Sequence, residues 1–419
     1  MKLLIPVAIF NNLETLKRQT ELKDPDGRYD PNYAPRDYRL ARDFLLAYQK
    51  NQATFRAYRG ALERLLQWSW LVRKQSVLAH NRQDLEELVA FCLNPPVSWI
   101  DVRLRPRYVR DPSSGQAVPN PKWRPFVNNA VAGSKRALRR GRKEASSYEI
   151  SEAGIEIALA AWGSFYNYLI LEEITTYNPV LLIKQKSALI HRHQQHRPIR
   201  RLSNQQLSYV MKAAKELHAD NPKAQARTEF IIEALFGMYL RISELTADPD
   251  RGWTPQMNHF YCDQDQNWWF HVLGKGNKER DISVSDAMLE ALKRYRVALN
   301  LTPLPSRLDD EPLLPKLYGH EPITDSRLIR EIVQQCFDRA KETMVADGLE
   351  QQAQELDVAT VHWLRHTGIS EDVKIRPREH VRDDAGHSSS AITDRYIDVE
   401  RKERHDSARD KPLIPEVSG

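Results

Sequence analysis

Hydrophobic positions in the first half of the chain recur with a helical period. Between Asn51 and Lys74, residues Phe55, Tyr58, Leu62, Leu65 and Leu66 fall on one face, at the i, i+3, i+7, i+10, i+11 spacing of a helix. A second amphipathic helix begins after Ser151, a side-chain cap. It aligns Ile155, Leu159, Trp162, Phe165, Tyr166 and Leu169. Asn178-Pro179 reads as the end of that helical region, because a residue before proline disfavours the helical backbone. Leu202-Ser203-Asn204 reads as a capped helix start, and an apolar-periodic helix is expected from about Arg227 to Leu245. The period then changes. Trp268 to Leu273 reads as a strand, Gly274-Lys275-Gly276-Asn277-Lys278 as a turn, and Arg280 to Val284 as the returning strand. From Ser285 onward the pattern is mainly helical. The fold class expected is mainly α with a small antiparallel sheet, an α+β chain.

Prolines and Asp24-Pro25-Asp26-Gly27 make residues 1–37 an extension expected to wrap on the surface. Its apolar start, Leu3 to Phe10, is short and is followed by Asn11-Asn12-Leu13-Glu14 rather than a cleavage site. It reads as a strand or packed arm, not a secretory signal. A helical domain is expected over 38–187, a linker over 188–201, and a second domain with a tail over 202–419. No stretch is apolar for long enough to span a membrane.

Charge changes this picture locally. The 419 residues carry 62 Lys and Arg against 56 Asp and Glu, a net +6. From Val102 to Lys143 there are twelve basic residues and one acidic, Asp111. That +11 leaves −5 for the remainder. Such a stretch is either a solvated loop or a phosphate-binding insertion in an otherwise helical domain. The basic segment His191 to Arg201 is either a solvated linker or one lying along a nucleic-acid backbone. Cys92, Cys262 and Cys336 are far apart, with neither a disulfide framework nor zinc-knuckle spacing, which fits a reducing, cytoplasmic location.

Four local motifs follow in order in the second half: Tyr239-Leu240-Arg241-Ile242-Ser243-Glu244-Leu245, the hairpin tip around Lys275, His362-Trp363-Leu364-Arg365-His366-Thr367, and Gly386-His387-Ser388-Ser389 with Tyr396 nine residues beyond His387. Two arginines can grip a phosphate through paired N–H donors. Histidines can donate hydrogen bonds or move protons. A lysine can protonate a departing alkoxide, and a tyrosine hydroxyl can attack phosphorus to form a covalent ester. This inventory needs no metal or other cofactor, because guanidinium groups supply the charge. His362 and His366 have the i, i+4 spacing of a helical metal pair, but no glutamate follows His362, so no metal site is assigned.

The order and local contexts of these motifs resemble the tyrosine recombinase (phage integrase) family from about Arg200 to Val399. The resemblance implies an N-terminal helical DNA-binding domain forming one jaw of a clamp, and a C-terminal catalytic domain. It implies that Tyr396 attacks the scissile phosphate, giving a 3′-phosphotyrosine link. Arg241 and Arg365 would hold the non-bridging oxygens and His387 would donate to the same phosphate. His362 would assist as acid/base or hydrogen-bond partner, and Lys275 would protonate the 5′ oxygen. Lys278 is the rival lysine, read otherwise as a backbone phosphate contact or a solvated turn residue. Glu244 either orients Arg241 or is an exposed helix glutamate. Candidate DNA contacts are Arg136, Arg139, Arg140, Arg142, Lys143, Arg197, Arg200, Arg201 and Lys278. The partners implied are double-stranded DNA, three further copies in a homotetramer on DNA, and sister recombinases or accessory proteins. The tail Ile397 to Arg409 either docks on a neighbouring copy or is a disordered terminus. The function implied is site-specific recombination in integration or excision of a mobile element. The alternatives are a type IB topoisomerase-like enzyme and a catalytically silent DNA-binding regulator. Three departures stand out: Ala385 where the family has leucine, a densely charged segment from Gly368 to Ala385 where it has an amphipathic helix pair, and a basic insertion from about 102 to 143 larger than the family's first domain usually allows, which points to a specialised subgroup. Trp268 and Trp269 are read as sheet core rather than a base-stacking platform.

Overall fold

The computed structural model describes residues 4–24, 26–113, 115–128, 148, 150–186, 200–274, 276–394, 396 and 408–409. The chain divides into two compact units, Met1–Gln195 and His196–Gly419. Among the described residues no helix is long and apolar enough to cross a membrane.

The first unit is built on α1 (Leu13–Arg18), α2 (Ala34–Ala47), α3 (Gln52–Trp68), α4 (Arg82–Leu93), α5 (Glu152–Leu171) and α6 (Pro179–Lys186). The apolar stripes of α3 and α5 meet, and the Trp162 indole N–H donates to the Ala61 carbonyl across that contact at 2.9 Å. The helix α3 continues into a π-helical turn, Ser69–Arg73, and stops where Lys74 adopts a left-handed backbone. Ser151 caps α5 by accepting from the Gly154 N–H.

Two expectations for this unit change. The extension expected to wrap on the surface is in part core, as the packed-arm reading of Leu3 to Phe10 anticipated. Ile9, Phe10, Leu13 and Leu16 enter the same core as α3 and α5, and the buried Glu63 carboxylate accepts the Ile9 N–H at 2.7 Å. Asn178-Pro179 does not close the helical region but opens α6, with the Asn178 side chain accepting the Val180 N–H. A proline suits the first turn of a helix, where its missing N–H is not needed.

The described part of the basic stretch forms short strands: β1 (Ile100–Asp101) beside β4 (Phe126–Val127), and β2 (Tyr108–Arg110) beside β3 (Ala117–Pro119). Some of its charge is neutralised by carboxylates elsewhere in the unit. Arg105 pairs with Asp101, while Arg107 pairs with Glu63 on α3 and lies 4.8 Å over the Trp123 ring. Asp101 immediately precedes the basic stretch, and Glu63 lies 39 positions before it.

The second unit contains α7 (Asn204–Glu216), α8 (Pro222–Gly237), α9 (Ile242–Leu245), the sheet β5 (Phe260–Cys262), β6 (Trp268–Leu273) and β7 (Glu279–Ser283), α10 (Asp286–Ala298), α11 (Ser326–Ala346), α12 (Glu350–Glu355), α13 (Val361–Asp372), α14 (Arg378–Ala385) and α15 (Ser390–Asp394). The sheet is antiparallel in the order β5-β6-β7, with Phe270 opposite both Phe260 and Ile282. Phe270 and Val272 supply its core face. The expected tryptophan core is only partial: Trp268 packs half-buried on the unit's core, and half-buried Trp269 donates its indole N–H to Asp263 at 2.8 Å. Ser203 caps α7 in a reciprocal capping box with Gln206.

The single helix expected from Arg227 to Leu245 is interrupted. Tyr239, with φ of 51°, turns left-handed between α8 and α9. Arg241 therefore precedes a helix instead of ending one. The charged segment from Gly368 to Ala385 folds into the second half of α13 and all of α14. Its charges bond to one another and to Tyr239, as set out below.

Candidate active site

Local sequence explains how each side chain is presented. Arg241 stands at the start of α9, where the Glu244 carboxylate accepts its backbone N–H at 2.8 Å, one arm of a capping box. That carboxylate is fully buried and also accepts the Arg241 guanidinium at 2.9 Å. The next motif begins with Gly386, which ends α14 in the left-handed region at φ 61°. Gly386 N–H donates to the Asp383 carbonyl and His387 N–H to the Arg382 carbonyl, the paired bonds of a Schellman ending. The dipeptide Gly-His is thus a helix stop that projects a histidine. The short helix α15 then buries Thr393, whose hydroxyl meets His387 Nδ1 at 2.9 Å, and its end carries Tyr396.

The two arginines converge. Arg365, on α13, donates to the Ala385 carbonyl at 2.6 Å and to the Tyr239 carbonyl; Arg241 donates to the next carbonyl, Gly386, at 3.2 Å. Each guanidinium has five N–H donors, so both keep donors beyond these bonds. The left-handed backbone of Tyr239 accompanies the carbonyl that Arg365 uses. The helix α13 lies so close to α8 that a methyl group at Gly368 would overlap the Phe236 carbonyl oxygen. Burial, with Arg241 beside it, brings Arg365 down to about 10, so it remains a cation at neutral pH.

The histidines divide. His387 stacks on the Tyr396 ring, with centroids 5.7 Å apart and planes at 19°. Burial, followed by Arg365 and Arg241, lowers His387 to about 4 and keeps it neutral. His362 is also lowered, by burial and then Arg365, Arg241 and Arg330. The ring nitrogen on the Tyr396 hydroxyl belongs to His366, whose Nδ1 lies 2.7 Å from it.

Of the six residues singled out as catalytic, Arg241, His362, Arg365, His387 and Tyr396 thus cluster, whereas Lys275 lies outside the described residues. So do Arg136, Arg139, Arg140, Arg142, Lys143, Arg197 and most of the tail after Tyr396. Lys278 is exposed on the hairpin turn, Arg200 is exposed ahead of α7, and Arg201 lies 3.9 Å from Glu371. The hairpin tip is held by Arg251, which donates to the Gly274 carbonyl at 2.6 Å and to the Asn277 side chain at 3.1 Å.

Sequence reasoning missed Arg280. Its guanidinium forks both Glu244 oxygens at 2.9 Å, and its Nε donates to the Asp384 carbonyl at 2.9 Å. A Cβ at Gly386 would sit 3.0 Å from this side chain and one at Gly274 2.8 Å from it, so both glycines leave room for Arg280. Strand alternation offered the signal, since Arg280 shares its face with buried Ile282. A second missed group answers the charged segment. Arg376 joins the Tyr239 hydroxyl, Asp372 and Asp384, and Asp384 also accepts the Ser283 N–H and hydroxyl. These bonds tie α14 to β7 and to Tyr239 through polar contacts. Small, fully buried Ala385 packs with Tyr239, Ile369 and Val381.

No family model matches the chain. It is 27% identical over 167 residues to the tyrosine recombinase XerD of Rickettsia prowazekii (strain Madrid E), an alignment covering 38% of this chain and 47% of that protein. The chain thus spans about half the length of this curated relative. Its structure is similar to the XerH site-specific recombinase bound to palindromic difH substrate, with TM-score 0.54, 15% identity, and coverage of 89% of this chain and 84% of that one. It is also similar to the Tn1549 transposon integrase in complex with a circular intermediate DNA, with TM-score 0.50, 16% identity, and coverage of 88% and 98%. At these identities the two structures speak for the fold. The chain thus has the fold of the tyrosine recombinases and integrases and is similar in sequence, over part of its length, to the tyrosine recombinase XerD.

Proposed function

We propose that the chain is a site-specific DNA recombinase that cuts and rejoins duplex DNA through a 3′-phosphotyrosine intermediate and serves integration or excision of a mobile element. The observation that carries this reading is the convergence of Arg241 and Arg365 on consecutive carbonyls immediately before His387, whose ring lies against Tyr396. A phosphodiester held by both guanidinium groups has its negative charge matched as it grows in the transition state. Tyr396 attacks phosphorus, neutral His387 donates a hydrogen bond to a non-bridging oxygen, and His362 assists at the same phosphate. Lys275 protonates the 5′ oxygen, with exposed Lys278 contacting the backbone. Glu244 and Arg280 hold Arg241 in place. XerH bound to difH, and the Tn1549 integrase bound to a circular intermediate, support DNA as substrate and a mobile-element role. Assembly as a homotetramer on two sites belongs to the same proposal.

A nicked duplex suicide substrate incubated with the protein in EDTA tests it. A covalent protein–DNA adduct that disappears in Tyr396→Phe is expected. Absence of any adduct, or its persistence in Tyr396→Phe, overturns the reading.

A further inference from the structure

Attack by Tyr396 requires its hydroxyl to lose a proton, and the structure puts an imidazole nitrogen on that hydroxyl. His366 Nδ1 lies 2.7 Å from the Tyr396 oxygen, with ring centroids 5.6 Å apart. We infer that His366 is a catalytic residue: carrying its own hydrogen on Nε2, it takes the phenolic proton on Nδ1 as Tyr396 attacks, and returns it when the strand is rejoined. The inference rests on the reading of Tyr396 as nucleophile.

Helix geometry separates His366 from its neighbour. Adjacent helical positions point about 100° apart. Arg365 turns to the carbonyls of Tyr239 and Ala385, while His366 faces the segment bearing Tyr396. The other two histidines are differently placed. His387 lies flat against the phenol and has its Nδ1 on the Thr393 hydroxyl. His362 is one helical turn before His366, with centroids 6.4 Å apart, and sits in the field of Arg365, Arg241 and Arg330. The ionisable groups near His366 include His362 and Arg365 on its own helix, and His387 and Tyr396 from the following segment. An imidazolium beside Arg365 is favoured by negative charge nearby, and a bound phosphodiester brings it. Proton transfer is thereby favoured when substrate is present.

The protons balance. The Tyr396 O–H bond breaks as its O–P bond forms, and the hydrogen moves to His366. The P–O5′ bond breaks with its electron pair on the 5′ oxygen, which takes a proton from the general acid assigned to Lys275. Rejoining runs both transfers backwards.

Single-turnover adduct formation by the full chain on the nicked duplex, followed across pH with DNA affinity measured by anisotropy, tests the role. His366→Asn keeps a hydrogen-bonding group near the Nδ1 position but does not titrate. Its adduct rate is expected to fall on the order of 10²-fold with affinity unchanged. The limb along which the wild-type rate rises as His366 gives up its proton is expected to vanish. His366→Ala is expected to be slow and to be accelerated by added imidazole. A His366→Asn protein that cleaves at the wild-type rate with the wild-type pH profile overturns the inference, leaving His366 a tether for the phenol. If His366→Asn loses DNA affinity through misfolding, the alanine variant decides, and failure of imidazole to accelerate it overturns the inference. Failure of the nucleophile reading looks different: there the wild type makes no adduct, or Tyr396→Phe makes one.

Discussion

Glu244→Gln isolates the charge at the centre of the site. The carboxylate has four donor contacts: Oε1 accepts from the Nη1 atoms of Arg241 and Arg280, and Oε2 from the Arg241 backbone N–H and Arg280 Nη2. Glutamine keeps the shape but has one acceptor oxygen, so two of these donors face an amide N–H. Two charge-assisted bonds at about 1.5–3 kcal/mol each are lost, and two arginines are left without their counter-charge. Removing one partner from a buried ion pair costs about 3–5 kcal/mol, and this is the expected loss of stability in the second unit. Urea denaturation read by hydrogen-exchange mass spectrometry on peptides from residues 222–237, 279–283 and 378–385 resolves that unit. A whole-chain optical melt does not, because two units need not unfold as one transition. Acid supplies a signature. Burial acts to raise the Glu244 carboxyl, but Arg280 and Arg241 outweigh it and leave it below the usual range. The stabilisation from a carboxyl held low is complete above its unfolded value, about 4.3 for glutamate, and is lost as pH falls through the lower folded value. The gap between wild type and variant should therefore be full at pH 7 and narrow below about pH 4. A variant within about 1 kcal/mol of wild type at pH 7, with an unchanged adduct rate, would refute the assignment of Glu244 as the anchor of both arginines.

Four further outcomes are expected. Gly386→Ala should lower the adduct rate more than its fold stability suggests. The left-handed backbone costs an alanine about 1 kcal/mol, and its Cβ at 3.0 Å displaces Arg280; the nicked-duplex assay with a thermal melt checks this. Gly368→Ala should destabilise the second unit by about 1–3 kcal/mol, because its methyl meets backbone at Phe236, and the same exchange experiment reads it. His80, His259 and His387 are each lowered to about 4, burial first. Their unfolded forms protonate near 6.5, so stability should fall as pH drops from about 6.5 towards 4 and stay flat above; replacing His80 by Gln should shrink that slope in the first unit. Neutralising Arg139, Arg140 and Arg142 together should weaken DNA binding and flatten its dependence on salt, as measured by anisotropy titrations at several salt concentrations.

Regular features were legible because their cause is local. The stripes of the two long helices in the first half, the Ser151 and Ser203 caps and the hairpin from Trp268 onward depend on nearest neighbours and period, which a string of residues contains. The positions of Arg241, His362, Arg365, His387 and Tyr396 were legible because each lies in a short motif of fixed order. Their partnerships were not. Glu63 and Arg107 are 44 positions apart, Glu244 and Arg280 36, and Ser283 and Asp384 101. No local count of charge anticipates such pairs.

The sequence by itself determined the two long helices of the first half, the Ser151 and Ser203 caps, the hairpin from Trp268 onward, and which residue types are available for phosphate chemistry. Only the tertiary structure decided that Leu13 and Leu16 join the core, that Tyr239 breaks a helix, that Arg280 joins Arg241 on Glu244, and that His366 rather than His362 meets the Tyr396 hydroxyl. The physical reason is that buried charges and donors must find partners wherever the fold brings them, since leaving one unpaired costs more than a local propensity can offset.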